Sequence, residues 1–80
     1  MRRVLASGVD VDAWDEVGMT ALLHAVFRGD AEGVQLLLWS GANPNRAQRE
    51  DPSATPLWHA TEDFGLDEIA GLLQAFGGRT

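Results

Sequence analysis

Two stretches of this chain are nearly the same sentence written twice. Thr20-Ala21-Leu22-Leu23-His24-Ala25 returns as Thr55-Pro56-Leu57-Trp58-His59-Ala60 after 35 residues, and Gly8-Val9-Asp10-Val11-Asp12 returns as Gly41-Ala42-Asn43-Pro44-Asn45 after 33. A chain that repeats at a period of roughly 20 to 50 residues builds copies of one small unit, none of which buries its own apolar face, so neighbouring copies must stack.

The unequal offsets locate two insertions. Asp12 to Thr20 spans 8 residues and Asn45 to Thr55 spans 10, which puts two extra residues in the second connecting loop. Thr20 to Gly29 spans 9 and Thr55 to Gly65 spans 10, which puts one more near the end of the following helix. Gly29 to Gly41 and Gly65 to Gly77 both span 12, leaving an underlying unit of about 33 residues.

Each unit reads as two helices. Thr20 and Thr55 are N-caps, the second followed by Pro56 at the first helical position, where a missing N–H is harmless. Gly29 and Gly65 end these helices, because the left-handed closing residue is best supplied by one without a Cβ. Asp30 caps the next helix, and Asp67 and Glu68 favour the positive end of theirs. Val34, Leu37 and Leu38, like Ile69, Leu72 and Leu73, follow the i, i+3, i+4 spacing of a buried stripe, and Gly41 and Gly77 close those helices. Gly33 and Gly71 fall inside them, each costing up to about 1 kcal/mol against Ala. Between units, Asp10 to Gly18 and Asn43 to Ser53 are polar and rich in turn residues, which predicts an extended turn or β-hairpin.

Unit length, the Thr-(Pro/Ala)-Leu-x-x-Ala start, the Gly29-Asp30-Ala31-Glu32 bridge, the Leu37-Leu38 pair and the Gly41-Ala42-Asn43-Pro44-Asn45 close together resemble the ankyrin repeat. Residues 14–46 resemble one full repeat, 47–80 a degenerate second one, and 1–13 the end of a preceding one. The resemblance implies an all-α fold, a helix-turn-helix repeat solenoid with projecting β-turn or hairpin fingers in a single domain. The family's first helix usually carries His three residues after the Thr, where it helps tie neighbouring repeats. Here Leu23 and Trp58 hold those positions, so that role does not simply pass to His24 and His59. Trp58, replacing an inter-repeat residue, is expected in the core.

Composition removes whole classes of function. A net charge of −6 argues against nucleic acid as a partner. Arg2 with Arg3 and Arg46 with Arg49 are the local positive clusters, too small for a phosphate or membrane patch. The absence of cysteine excludes disulfides, thiolate zinc sites and a cysteine nucleophile. No sustained apolar run supports a signal peptide or membrane span, so a cytoplasmic location is expected.

No catalytic constellation or phosphate loop appears, and two histidines are too few to hold zinc, so neither enzyme, cofactor nor metal is expected. The expected function is a non-catalytic protein–protein interaction module. By resemblance, its binding face is built from Glu16, Val17, Met19, Phe27 and Arg28 in one repeat and Asp51, Pro52, Ala54, Glu62, Asp63 and Phe64 in the next. Aromatic anchors flanked by acidic groups suit a partner with a basic surface. Phe27 and Phe64 either line that face or fold inward over a thin core, and Trp14 and Trp39 either make further contacts or cover an exposed repeat edge. The alternatives are self-association through apolar surface left by the incomplete first repeat, and a small inhibitor or immunity-type regulator of another protein.

Overall fold

The computed structural model describes residues 10–79. The expected partial repeat over 1–13 therefore lies largely outside the described residues, as do Arg2, Arg3 and Gly8. Four helices follow in order: α1 (Ala21–Phe27), α2 (Ala31–Trp39), α3 (Pro56–Trp58), which runs directly into a π-helical turn (His59–Asp63), and α4 (Asp67–Ala75). They form two helix pairs, and α1 packs on α2, on α3 and on the π-helical turn, while α2 also packs on α4.

Helix starts follow the capping chemistry. Thr20 accepts from the Leu23 N–H, Asp30 from Gly33 and Thr55 from Trp58. These bonds satisfy donors that the first turn leaves without an intrahelical partner, each worth about 1 kcal/mol. Leu66 begins α4 without a side-chain cap, and Asp67 and Glu68 in its first turn supply negative charge against the helix dipole.

Three helix ends close in the same way. After α1, Gly29 at φ 66° lets its own N–H reach Val26 and that of Asp30 reach Ala25. Gly41 and Ala42 repeat the pair of bonds on Leu38 and Leu37, and Gly77 and Gly78 repeat it on Gln74 and Leu73. This is the Schellman closure, which needs the left-handed conformation that glycine enters without a steric penalty. The fourth end is wider. Phe64 N–H reaches back five residues to His59 O at 2.9 Å, and Leu66 N–H reaches Ala60 O at 2.6 Å. The one-residue insertion between Thr55 and Gly65 is thus absorbed as a π-helical turn.

One apolar cluster runs through both pairs, joining Val11, Leu22, Val26, Val34, Leu38, Leu57, Ile69 and Leu73. Each of these side chains contributes about 1.5–3 kcal/mol by leaving water. The connecting segments contain no strand among the described residues. An isolated antiparallel bridge between Gln48 and Asp51 replaces the hairpin that the sequence allowed.

The two mid-helix glycines are not equivalent. A Cβ on Gly33 collides with the Asp30 carboxylate that caps α2, whereas one on Gly71 meets nothing within 4 Å. Gly71→Ala should raise stability by about 0.5–1 kcal/mol. Gly33→Ala should bring no gain, because relief of backbone entropy is offset by displacement of a cap worth about 1 kcal/mol. Urea titration of the two variants checks the contrast, and equal stabilisation of both would contradict it.

Candidate interaction surface

Asp15 and Gln48 stand 33 residues apart at the same place in the repeat, and each anchors its turn. Asp15 N–H donates to Met19 O at 2.8 Å, and Gln48 N–H donates to Ala54 O at 3.3 Å. Met19 and Ala54 both immediately precede a capping Thr. The two-residue insertion therefore lies inside the second turn, over Arg49 to Ser53, and the bond across its base is kept. Within that turn the Asp51 carboxylate accepts from Ser53 Oγ at 2.6 Å and Ser53 N–H at 3.1 Å. These bonds hold the Asp51 carboxyl below its usual pKa, the Ser53 hydroxyl contributing most.

Each displaced histidine ties its helix to the anchor of the preceding turn. His24 Nε2 lies 2.6 Å from Asp15 Oδ2, and His59 Nε2 lies 3.3 Å from Gln48 Oε1. His59 Nδ1 also faces Asp63 Oδ2 at 3.1 Å, and Gln48 Nε2 donates to the Met19 sulfur at 3.1 Å. The His24 bond is the first cause of a lowered Asp15 pKa, followed by donation from the Met19 N–H.

Successive turns are bound to each other. Trp14 Nε1 donates to Ala47 O at 2.9 Å, Asn43 N–H to Asp12 Oδ1 at 2.7 Å, and Arg49 N–H to Gly18 O at 3.0 Å. The Arg46 guanidinium lies over the Trp14 ring at 3.7 Å from its centroid and donates through Nε to Asp12 O at 3.3 Å.

Phe27 and Phe64 meet edge to face, centroids 5.2 Å apart, and Phe27 also sets its ring against His59 at 4.7 Å. They are 43% and 42% exposed, so the pair lies partly over the structure and partly in solvent. Glu62 and Asp63 are exposed on the π-helical turn beside Phe64, and Arg28 is exposed at the end of α1, where it pairs with Asp30 at 3.6 Å. Val17, Glu16, Asp51 and Pro52 are exposed on the turns.

Met19 and Ala54 are buried, at 7% and 3% exposure, because the residue before each capping Thr closes the base of its turn. Trp39 is 71% exposed on α2, while Trp14 is engaged by Ala47 and Arg46 in the next turn. Trp58 is not a core residue. It is 39% exposed, whereas Leu23, at the same repeat position, is fully buried. Leu23 lies on α1, against which the second helix pair packs. His59 is the buried member of that dipeptide, at 5%, because Gln48 and Asp63 meet both its ring nitrogens. Gln48 was invisible as a site residue, although its 33-residue offset from Asp15 marks it. Among the described residues no group of three His, Asp or Glu side chains gathers as a metal site, and no helix is long and apolar enough to cross a membrane.

Helix pairs stacked through a shared core, closed by glycines and tied turn to turn define a helical repeat protein. The repeat is of the ankyrin type: residues 1–38 match the model of the family described as "Ankyrin repeats (many copies)". Over 72 residues, 90% of this chain, it is 36% identical to the E3 ubiquitin-protein ligase Ufd4 of Drosophila melanogaster, of which the chain spans 2%. Ankyrin repeats are in general protein–protein interaction modules and in general non-catalytic.

The lowered pKa of Asp15 carries a sign. A carboxylate whose folded pKa lies below its unfolded value stabilises the fold above the unfolded value, about 4, and that contribution is lost as pH falls through the folded pKa. Asp15→Asn should therefore lower stability at neutral pH and flatten the loss of stability on acidification below about pH 4. Thermal melts from pH 7 to 2 check this, and parallel curves for the two proteins would contradict it.

Proposed function

We propose that this chain is a non-catalytic protein-interaction module of the ankyrin type. In this reading the turns project as fingers from a short helical solenoid, and the Phe27–Phe64 pair is the apolar centre of the docking face. The observation that carries it is that pair: two aromatic rings in mutual contact, each more than two-fifths exposed, flanked by Glu62, Asp63 and Arg28. Aromatic rings at the centre of a contact supply most of its free energy, and surrounding charges steer and orient the partner. The acidic flank and net charge of −6 favour a partner presenting basic residues there. Asp63 has a structural bond to His59, so the test leaves it in place. Phe27→Ala with Glu62→Gln should weaken capture of the cognate partner by at least about thirtyfold, the loss of one aromatic hot spot of about 2 kcal/mol, with an unchanged helical circular dichroism spectrum. Unchanged capture would remove this face from the reading.

A second reading, self-association by stacking, draws support from Trp58. It is exposed at the position where Leu23 of the preceding unit is fully buried. A further helix pair placed on that side, from a second copy, would cover it in the way the second pair covers α1. Light scattering over a hundredfold range of concentration should then show a rising mass that Trp58→Gln suppresses, and a constant monomer mass removes this reading.

A further inference from the structure

The Arg46 and Arg49 cluster, too small for a nucleic-acid surface, has another use once the turns are stacked. A groove of about 310 Å³ opens between the first and second turns, lined by Trp14, Asn43, Arg46, Arg49 and Pro52 among others. Among the described residues its lining contains two arginines and no carboxylate, in a chain whose net charge is −6. That local reversal of sign is the starting point.

Arg46 is held rather than free. Its guanidinium lies on the Trp14 ring, and its Nε is used by Asp12 O. Trp14 is in turn fixed by its bond to Ala47 O. The two terminal nitrogens of Arg46 have no hydrogen-bond partner among the described residues. A guanidinium fixed through its face and its Nε, with its outer edge unoccupied by any described residue, presents the parallel donors that a carboxylate accepts in a bidentate pair. Arg49 adds a second cation, occupied among the described residues only through Nε by its neighbour Glu50 at 2.8 Å, with that carboxylate 76% exposed. An ion pair so open to water is weak and readily exchanged.

We propose that this groove binds a carboxylate side chain of an extended peptide, an acidic residue next to an apolar one, with the carboxylate on Arg46 and Arg49 and the apolar neighbour against Pro52 and the exposed part of Trp14. The site shares no residue with the Phe27–Phe64 pair, apart from Pro52 no residue of the face read from the sequence, and its ligand has the opposite charge from the one that pair favours. A polyphosphate backbone fits poorly, because Glu50 and Asp51 stand in the same turn and would face its further charges. One carboxylate with uncharged flanks avoids them.

The probe is a fluorescein-labelled, end-blocked peptide Gly-Ser-Glu-Leu-Gln-Ser-Gly, with its glutamine-for-glutamate counterpart as control, followed by anisotropy. The intact chain should bind the acidic peptide saturably, and Arg46→Gln and Arg49→Gln should each weaken it about tenfold or more, the loss of a charge-assisted contact. Arg49→Gln is the decisive variant, since among the described residues the Arg49 side chain bonds only its exposed neighbour Glu50, and an unchanged circular dichroism spectrum checks that the fold is kept. Arg28→Gln and Phe27→Ala should leave binding unchanged, which separates this site from the aromatic face. Equal binding of the glutamine peptide, binding insensitive to Arg49→Gln, absence of saturation, or tighter binding of a short single-stranded oligonucleotide would each overturn the proposal.

Discussion

Everything in this protein depends on apolar surface that neither helix pair can bury alone. The helices are 7 to 9 residues long, apart from a first helix of the second pair that begins as 3 residues and continues as a π-helical turn. Segments of that length are marginal in water by themselves, so their stability comes from packing. Leu22, Val26, Val34 and Leu38 of the first pair close against Leu57, Ile69 and Leu73 of the second in a single cluster. The caps and glycine closures direct the chain back so that these faces meet.

The turns form the polar edge of the same stack. Their bonds run between residues 31 to 34 apart, from Asp12, Trp14 and Gly18 to Asn43, Arg46, Ala47 and Arg49, so they reinforce the register that the core sets. Insertions are taken up where they disturb least. Two extra residues lengthen the tip of the second turn while the bond at its base survives, and one extra residue widens the end of a helix while its closing glycine survives. That widened turn also displays Glu62, Asp63 and Phe64 beside the end of α1.

Much of this was legible in the residues. Thr20, Asp30 and Thr55 cap as their positions imply, and Gly29, Gly41, Gly65 and Gly77 all take positive φ. These are local effects, settled by side chains within a few residues of the backbone they serve. Both insertions were placed by counting, yet counting does not distinguish a longer loop from a π-helical turn, because that choice depends on what the helix packs against. The candidate surface was less legible. Exposure of Phe27 and Phe64, burial of Met19 and Ala54, and the exchange of roles between Trp58 and His59 all depend on neighbours distant in sequence.

The sequence by itself determined the unit, its period, the starts and stops of its helices and the stripe that each turns inward, since periodicity, capping and glycine act over a single helical turn. Tertiary structure alone decided which polar groups meet. His59 is buried because Gln48 comes from another loop to satisfy it, Trp58 is exposed where Leu23 of the preceding unit is buried, and Arg46 and Trp14 face each other because stacking brings residues 32 apart into contact. Such pairings have no local signature, because their free energy comes from desolvation and hydrogen bonding between segments that are neighbours only after the core has formed.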